Sequence, residues 1–400
     1  MSFMLWRSAR RSLAFSAIPA LVLVVGAQLW LRPRPWVHEW YWTIDVYNFT
    51  TILVAPVVAG VAAWEGAQWS ATADWASSIG RSFRVVRGAV LPIGVLSSVV
   101  FVGGLAVAGA LTSVAGTPGF PSISELASTL PALAVIWLAA AFGVAAGWFF
   151  RKALVAPVVA LLIFGVLFAG YTALPEQWFR IGGATSSLLS LGPRTGLHFL
   201  QVLLYLSLGA AALQAAVHHT SRHQESRWIT FALAAGTATL LLAIGGMRFV
   251  EATPKLRCTG SAPQICLGYG YQHLRAETLQ ILGEPIAKLA AAGFVPPVRV
   301  TQDVLDVRPK VVRIGTQAPT ADDARNLLVF AIIPEDCDVF RDEITYTRYI
   351  TVWYWVGSLL GMESGVVPNV DPIVARGDSD ASRAVVQNIA DELAACHATG

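Results

Sequence analysis

Seven apolar stretches alternate with short polar segments along the first 249 residues: about 13–31, 50–66, 89–112, 129–150, 153–173, 197–217 and 228–247. Each is close to the roughly 20 helical residues that cross about 30 Å of hydrocarbon. No Asp, Glu, Lys or Arg interrupts Gly88 to Ser124 or Leu126 to Phe150. The pattern predicts a membrane bundle of about seven transmembrane helices over residues 1–249. Pro56 sits inside the second stretch, where neighbouring helices can satisfy the backbone it frees. Arg151 and Lys152 alone divide the fourth stretch from the fifth, which reads as a tight hairpin at a membrane surface. The first stretch has the basic start of a signal peptide, but no A-x-A site closes it, and a retained helix is expected.

The pattern changes at residue 250. Residues 250–400 mix shorter apolar runs with polar ones and predict an extracytoplasmic α+β domain. A helix is expected over Tyr271 to Ala292, broken or kinked at Pro285 and stopped at Gly293. Val298 to Val304 and Val311 to Ile314 read as strands, and the strongly apolar Asn326 to Ile333 as a central strand. Ile344 to Leu360 reads as a core helix, and Asp380 to Ala395 as a closing helix capped by Ser379 or Asp380.

Composition agrees with this division. Charged residues make up 13% of the chain, against roughly 25% in soluble proteins. Residues 1–249 hold 15 basic and 7 acidic side chains, and residues 250–400 hold 13 and 18. Arg outnumbers Lys 24 to 4 among abundant Ala, Gly and Val, which suggests a GC-rich bacterial source. With the N-terminus in the cytoplasm, inner segments carry Arg7, Arg10, Arg11, Arg81, Arg84, Arg87, Arg151, Lys152, Arg222 and Arg227. Outer segments carry only Arg32, Arg34, Arg180, Arg194 and Arg248. This bias fits the positive-inside rule and places the tail outside a bacterial plasma membrane. Trp30, Trp36, Trp40, Tyr41 and Trp42 cluster at the outer end of the first span and read as interface anchors.

Chemistry inside the spans is sparse. Glu65 ends the second and His198 opens the sixth. No carboxylate or histidine relay lies mid-membrane, which disfavours a proton-coupled pump or a charge-ringed pore. Gly143 and Gly147 form a G-x-x-x-G pair suited to close helix packing, within the chain or between chains. No G-x-x-x-x-G-K-[ST] loop occurs, so ATP hydrolysis by this chain is not expected. His273 and Glu277 lack the second histidine of an H-E-x-x-H site, and Glu335, Asp336 and Asp338 read as a solvated cluster. No enzyme activity, cofactor, metal or nucleic-acid partner is expected.

After the second span, Trp75, Ile79 and Phe83 recur at i, i+4, with Arg81, Arg84 and Arg87 off the stripe. This is a basic amphipathic segment, suited to anionic membrane lipid or to a docking partner. A basic amphipathic N-terminal stretch (Met1 to Ser12), a span ending Ala62-Ala63-Trp64-Glu65-Gly66 and this connector together resemble permease subunits of ATP-binding-cassette transporters of the type-2 exporter class. The 1–249 region resembles actinobacterial members with a seventh span and an outer domain of unknown function. Ile265-Cys266-Leu267 through His273-Leu274, Ala291-Ala292-Gly293 and Pro296-Pro297 are similar to that outer domain. The resemblance implies a separate cytoplasmic ATP-binding subunit and a homodimer or second permease subunit. It also implies a coupling role for residues 67–80, with Glu65, Trp69, Trp75, Ile79, Arg81, Phe83 and Arg84 as docking candidates. A non-transporting membrane protein whose outer domain binds or senses a ligand is the alternative.

All four cysteines, Cys258, Cys266, Cys337 and Cys396, lie in the outer part. They allow three disulfide connectivities. Cys258–Cys266, which closes a short loop, and Cys337–Cys396 are favoured. The spacings lack the close C-x2–4-C pairs of a zinc site, and disulfides fit an oxidising compartment.

Overall fold

The computed structural model describes residues 14–70, 82–172, 180–218, 234–238, 248–303, 305–306, 310–333, 343–362, 370–377 and 379–394. The chain divides into two compact units, Met1–Glu251 and Ala252–Gly400.

The first unit is helical: α1 (Ala14–Leu31), α2 (Trp40–Asn48), α3 (Thr51–Ser70), α4 (Ser82–Val114), α5 (Ile123–Ala127), α6 (Leu130–Phe150), α7 (Val155–Thr172) and α8 (Thr195–His218). Five helical stretches are long and apolar enough to cross a membrane: Trp40–Ser70, Val85–Val114, Ile123–Phe150, Val155–Thr172 and Thr195–Val217. They correspond to the second through sixth expected spans, and Phe15–Leu31 is a shorter apolar helix. Most of the expected seventh span lies outside the described residues; residues 234–238 of it are helical. A two-stranded antiparallel ribbon closes the unit, β1 (Leu191–Pro193) on β2 (Phe249–Glu251). That pairing draws Phe249–Glu251 into the first unit.

The segments before α3, after α4, after α7 and after residue 247 meet at one end of the bundle, here termed the cap. Thr43 Oγ1 lies 2.7 Å from Thr112 Oγ1. Asn48 Nδ2 donates to Ser128 O at 3.1 Å, and Trp42 Nε1 to Ala184 O at 3.1 Å. Arg194 N donates to Arg248 O at 3.0 Å. Part of the aromatic run is built into this cap. Trp36, Tyr41 and Trp42 are buried, and only Trp30 is highly exposed. Hydropathy cannot tell a ring that faces lipid from one that faces protein.

The second unit holds a mixed sheet of order β3-β4-β5-β6. The strands are β3 (Leu256–Thr259), β4 (Gln264–Gly268), β5 (Arg299–Thr301) and β6 (Val311–Arg313). β3 pairs antiparallel with β4; β4 with β5 and β5 with β6 are parallel. Its helices are α9 (Arg275–Ala291), α10 (Ala321–Ile332), α11 (Glu343–Leu359) and α12 (Asp380–Ala394). Ile265, Leu267, Val300, Val312, Leu328, Val329 and Trp355 meet in its core.

One expectation is overturned. Asn326 to Ile333 is not a central strand; it is the C-terminal part of α10, apart from Ile333, the C-cap residue. Thr320 and Asp323 form a reciprocal capping box: Thr320 Oγ1 accepts from Asp323 N at 3.1 Å, and Thr320 N donates to Asp323 Oδ2 at 2.8 Å. With the helix started there, Ala324 and Leu328 fall on one buried face at i, i+4, with Val329 beside them. An apolar run read without its cap looks like a buried strand.

Candidate functional site

The docking residues expected from the sequence start at the end of α3 remote from the cap. α3 runs on past Glu65 to Ser70, so the carboxylate sits in a helix interior and is 5% exposed. Trp69, one turn on, donates Nε1–H to Glu65 Oε1 at 3.0 Å. An indole donor at i+4 is one turn away and helps to satisfy a buried carboxylate. Trp75, Ile79 and Arg81 lie outside the described residues. Phe83 and Arg84 belong to the first turn of α4, which begins seven residues before the expected span. The structure therefore brings Glu65 and Trp69 together, while residues 71–81 of the connector lie outside its description.

The helix that carries Glu65 is fixed against α6. A Cβ on Gly143 would fall on Ala59 O and Ala62 Cβ, and one on Gly147 on Ala63 O and Ala67 N. Gly66 lies in the same way on the Val144 backbone. The G-x-x-x-G pair thus serves packing within the chain. Without a hydrophobic force between helices in lipid, association depends on such close van der Waals contact.

The cap holds the second candidate cluster, which sequence reasoning missed. Asp45 and Arg248 form a two-pronged ion pair, Nη1 to Oδ1 at 2.7 Å and Nη2 to Oδ2 at 3.1 Å. Both side chains are 5% exposed. Ala184 N donates to Asp45 Oδ2 at 2.8 Å, and the Arg248 guanidinium lies 4.5 Å over the Phe249 ring. Beside them the buried Glu39 accepts from Leu188 N at 2.9 Å and from Ser187 Oγ. Fork-on-fork geometry is the arrangement in which an arginine best offsets the loss of water. The usable signal was a lone acid within the aromatic run Trp40 to Tyr47 and a lone cation closing the seventh apolar stretch. His198, expected at the outer end of the sixth span, is buried in the first turn of α8, with Nδ1 3.2 Å from Gln201 Oε1.

In the second unit, Cys258 and Cys266 are joined by a disulfide. This is the pairing expected from the sequence, and the two residues sit directly opposite each other in the β3–β4 hairpin. Cys337 and Cys396 lie outside the described residues. His273 and Glu277 stand at the junction of the 3-10 turn Tyr269–Leu274 and α9. Among the described residues, no three His, Cys, Asp or Glu side chains come together as a metal site. In comparisons with known proteins, no family model, no curated protein and no solved structure matches the chain.

Proposed function

We propose that the chain is a permease-like membrane subunit of an ATP-binding-cassette transporter of the type-2 exporter class, driven by a separate cytoplasmic ATPase. The observation that carries this reading is the buried Glu65, held by Trp69 at the end of α3 immediately before the basic amphipathic connector. A carboxylate locked into a helix that is itself locked to α6 makes a rigid lever, and a rigid lever can pass a push at the connector into the bundle.

The chain path supports seven crossings with the tail outside. Segments 32–50, 112–128, 180–194 and 248–251 share the cap, which is the alternation expected when successive helices run up and down. α8 leaves the cap at Thr195, and its 24 residues rise about 36 Å at roughly 1.5 Å each. Arg248 is back at the cap beside Arg194, which agrees with the proposal of one further crossing between α8 and Arg248. The Cys258–Cys266 disulfide fits an oxidising side for the second unit.

A second reading, a non-transporting membrane protein whose outer unit binds a ligand, is favoured by the α3–α6 seam. Backbones touch there at Gly143 and Gly147 and leave no room for a substrate between the two helices. Purification of the full chain from native membranes separates the two. The transporter reading expects a nucleotide-hydrolysing subunit in fixed ratio, lost on deletion of residues 67–80 and weakened by Glu65→Gln. A chain that purifies alone, with no ATPase activity, contradicts it.

A further inference from the structure

We propose that the groove between α3 and α7 at the cap end seats an anionic phospholipid of the adjoining leaflet, with its phosphate held by Arg32 and Arg180. The groove is shallow and open, and is lined by Asn48, Phe49, Ile52, Leu167, Tyr171 and Arg180. Its apolar wall continues onto the outward face of α7, where Leu161, Phe164 and Phe168 are exposed.

The polar rim is built in a definite way. Phe49 and Tyr171 meet edge to face, with ring centroids 4.9 Å apart. The Arg32 guanidinium lies 5.0 Å over Phe49, and that of Arg180 lies 4.9 Å over Tyr171. Two cations therefore flank one aromatic pair. The loop that brings Arg180 there depends on two glycines in the left-handed region, Gly182 at φ 130° and Gly183 at φ 90°. A Cβ on Gly183 would strike Phe49 and Tyr171, and Tyr171 donates its hydroxyl to Gly183 O at 3.0 Å.

Charge decides the occupant. Arg32 donates to Val46 O at 3.5 Å, and among the described residues neither Arg32 nor Arg180 pairs with a carboxylate. Two guanidinium groups with no carboxylate partner among the described residues, beside an apolar trough, match a phosphodiester with an acyl chain attached. The trough removes chain methylenes from competing contacts, and the arginine stems reach toward the headgroup level. A free inorganic anion would use the two cations and ignore the trough.

The test is native mass spectrometry of the detergent-purified full chain with added phosphatidylglycerol or phosphatidylcholine. Phosphatidylglycerol should be retained in preference by about tenfold or more, given two cations at the surface. The pair Arg32→Gln and Arg180→Gln should erase that preference, and Leu167→Trp should lower retention of both lipids by filling the trough. Arg34→Gln should change nothing, because Arg34 lies over Trp30 and off the groove. Equal retention of the two lipids overturns the proposal, as does a preference that survives the double substitution. Displacement of phosphatidylglycerol by inorganic phosphate would make the groove an anion site and likewise overturn it. If the double substitution does not fold, the single changes Arg32→Gln and Arg180→Gln decide: each should reduce the preference for phosphatidylglycerol, and an unchanged preference in both overturns the proposal.

Discussion

Along the α3–α6 seam, close contact runs through the small residues Ala59, Ala62, Ala63, Gly143 and Gly147. At the cap of the same bundle, Asp45, Arg248 and Glu39 are buried, and threonine, asparagine and tryptophan side chains bond to distant carbonyls. The seam gains from proximity and tolerates no added volume. The cap gains from the pairing of its buried charges, and loss of either partner leaves the other without its counter-ion. The difference follows from solvent: helices in hydrocarbon pack by shape, while irregular backbone calls for polar partners.

Removing one partner at the cap should have the largest effect. Arg248→Ala leaves Asp45 buried without its cation, for an expected loss of about 3–5 kcal/mol. The paired change Asp45→Leu with Arg248→Met should cost much less than the sum of the single changes. Thermal unfolding of all three variants in detergent checks this. Additive losses would mean that the two charges stabilise separately.

At the seam, Gly147→Leu should cost about 1–3 kcal/mol or more, because side-chain volume meets the Ala63 backbone. Gly165→Leu, on α7 with open space around its position, should be near neutral. Comparable losses at the two glycines would show that α7 packs against something as tightly as α3 does.

The smallest effect tests local capping outside the bundle. Thr320→Ala should cost about 1 kcal/mol, read as faster amide exchange in α10 alone. Hydrogen bonds from Thr320 hold the Asp323 carboxyl below its usual range. A lowered folded-state value means that this contribution is present above the unfolded value and fades as pH falls through the folded one. Exchange in α10 should therefore rise at acidic pH in the parent and less so in Thr320→Ala.

These contrasts also mark what the sequence could carry. The long apolar helices were legible because length and hydropathy are local properties, and five such stretches stand in the structure. The sheet strands at Val300 and Val312 followed from short apolar runs, and the α9 stop from Gly293. Asn326 to Ile333 was misread because its helical period shows only when the Thr320 cap is included. The Asp45–Arg248 pair was not legible, because its partners are 203 residues apart and each alone resembles an ordinary interfacial charge. Of the docking candidates, Glu65 lies inside α3 rather than at its end, and its bond to Trp69 needed the helix to continue to Ser70.

The central claim is that an odd number of crossings puts the disulfide-bearing unit across the membrane from the N-terminus. Thiol labelling in intact cells tests it most directly, with an impermeant maleimide applied before and after an impermeant reductant. The account predicts that Cys258 and Cys266 resist labelling at first and react once the reductant is added, with the membrane still sealed. Labelling that requires permeabilised cells and no reductant would contradict it.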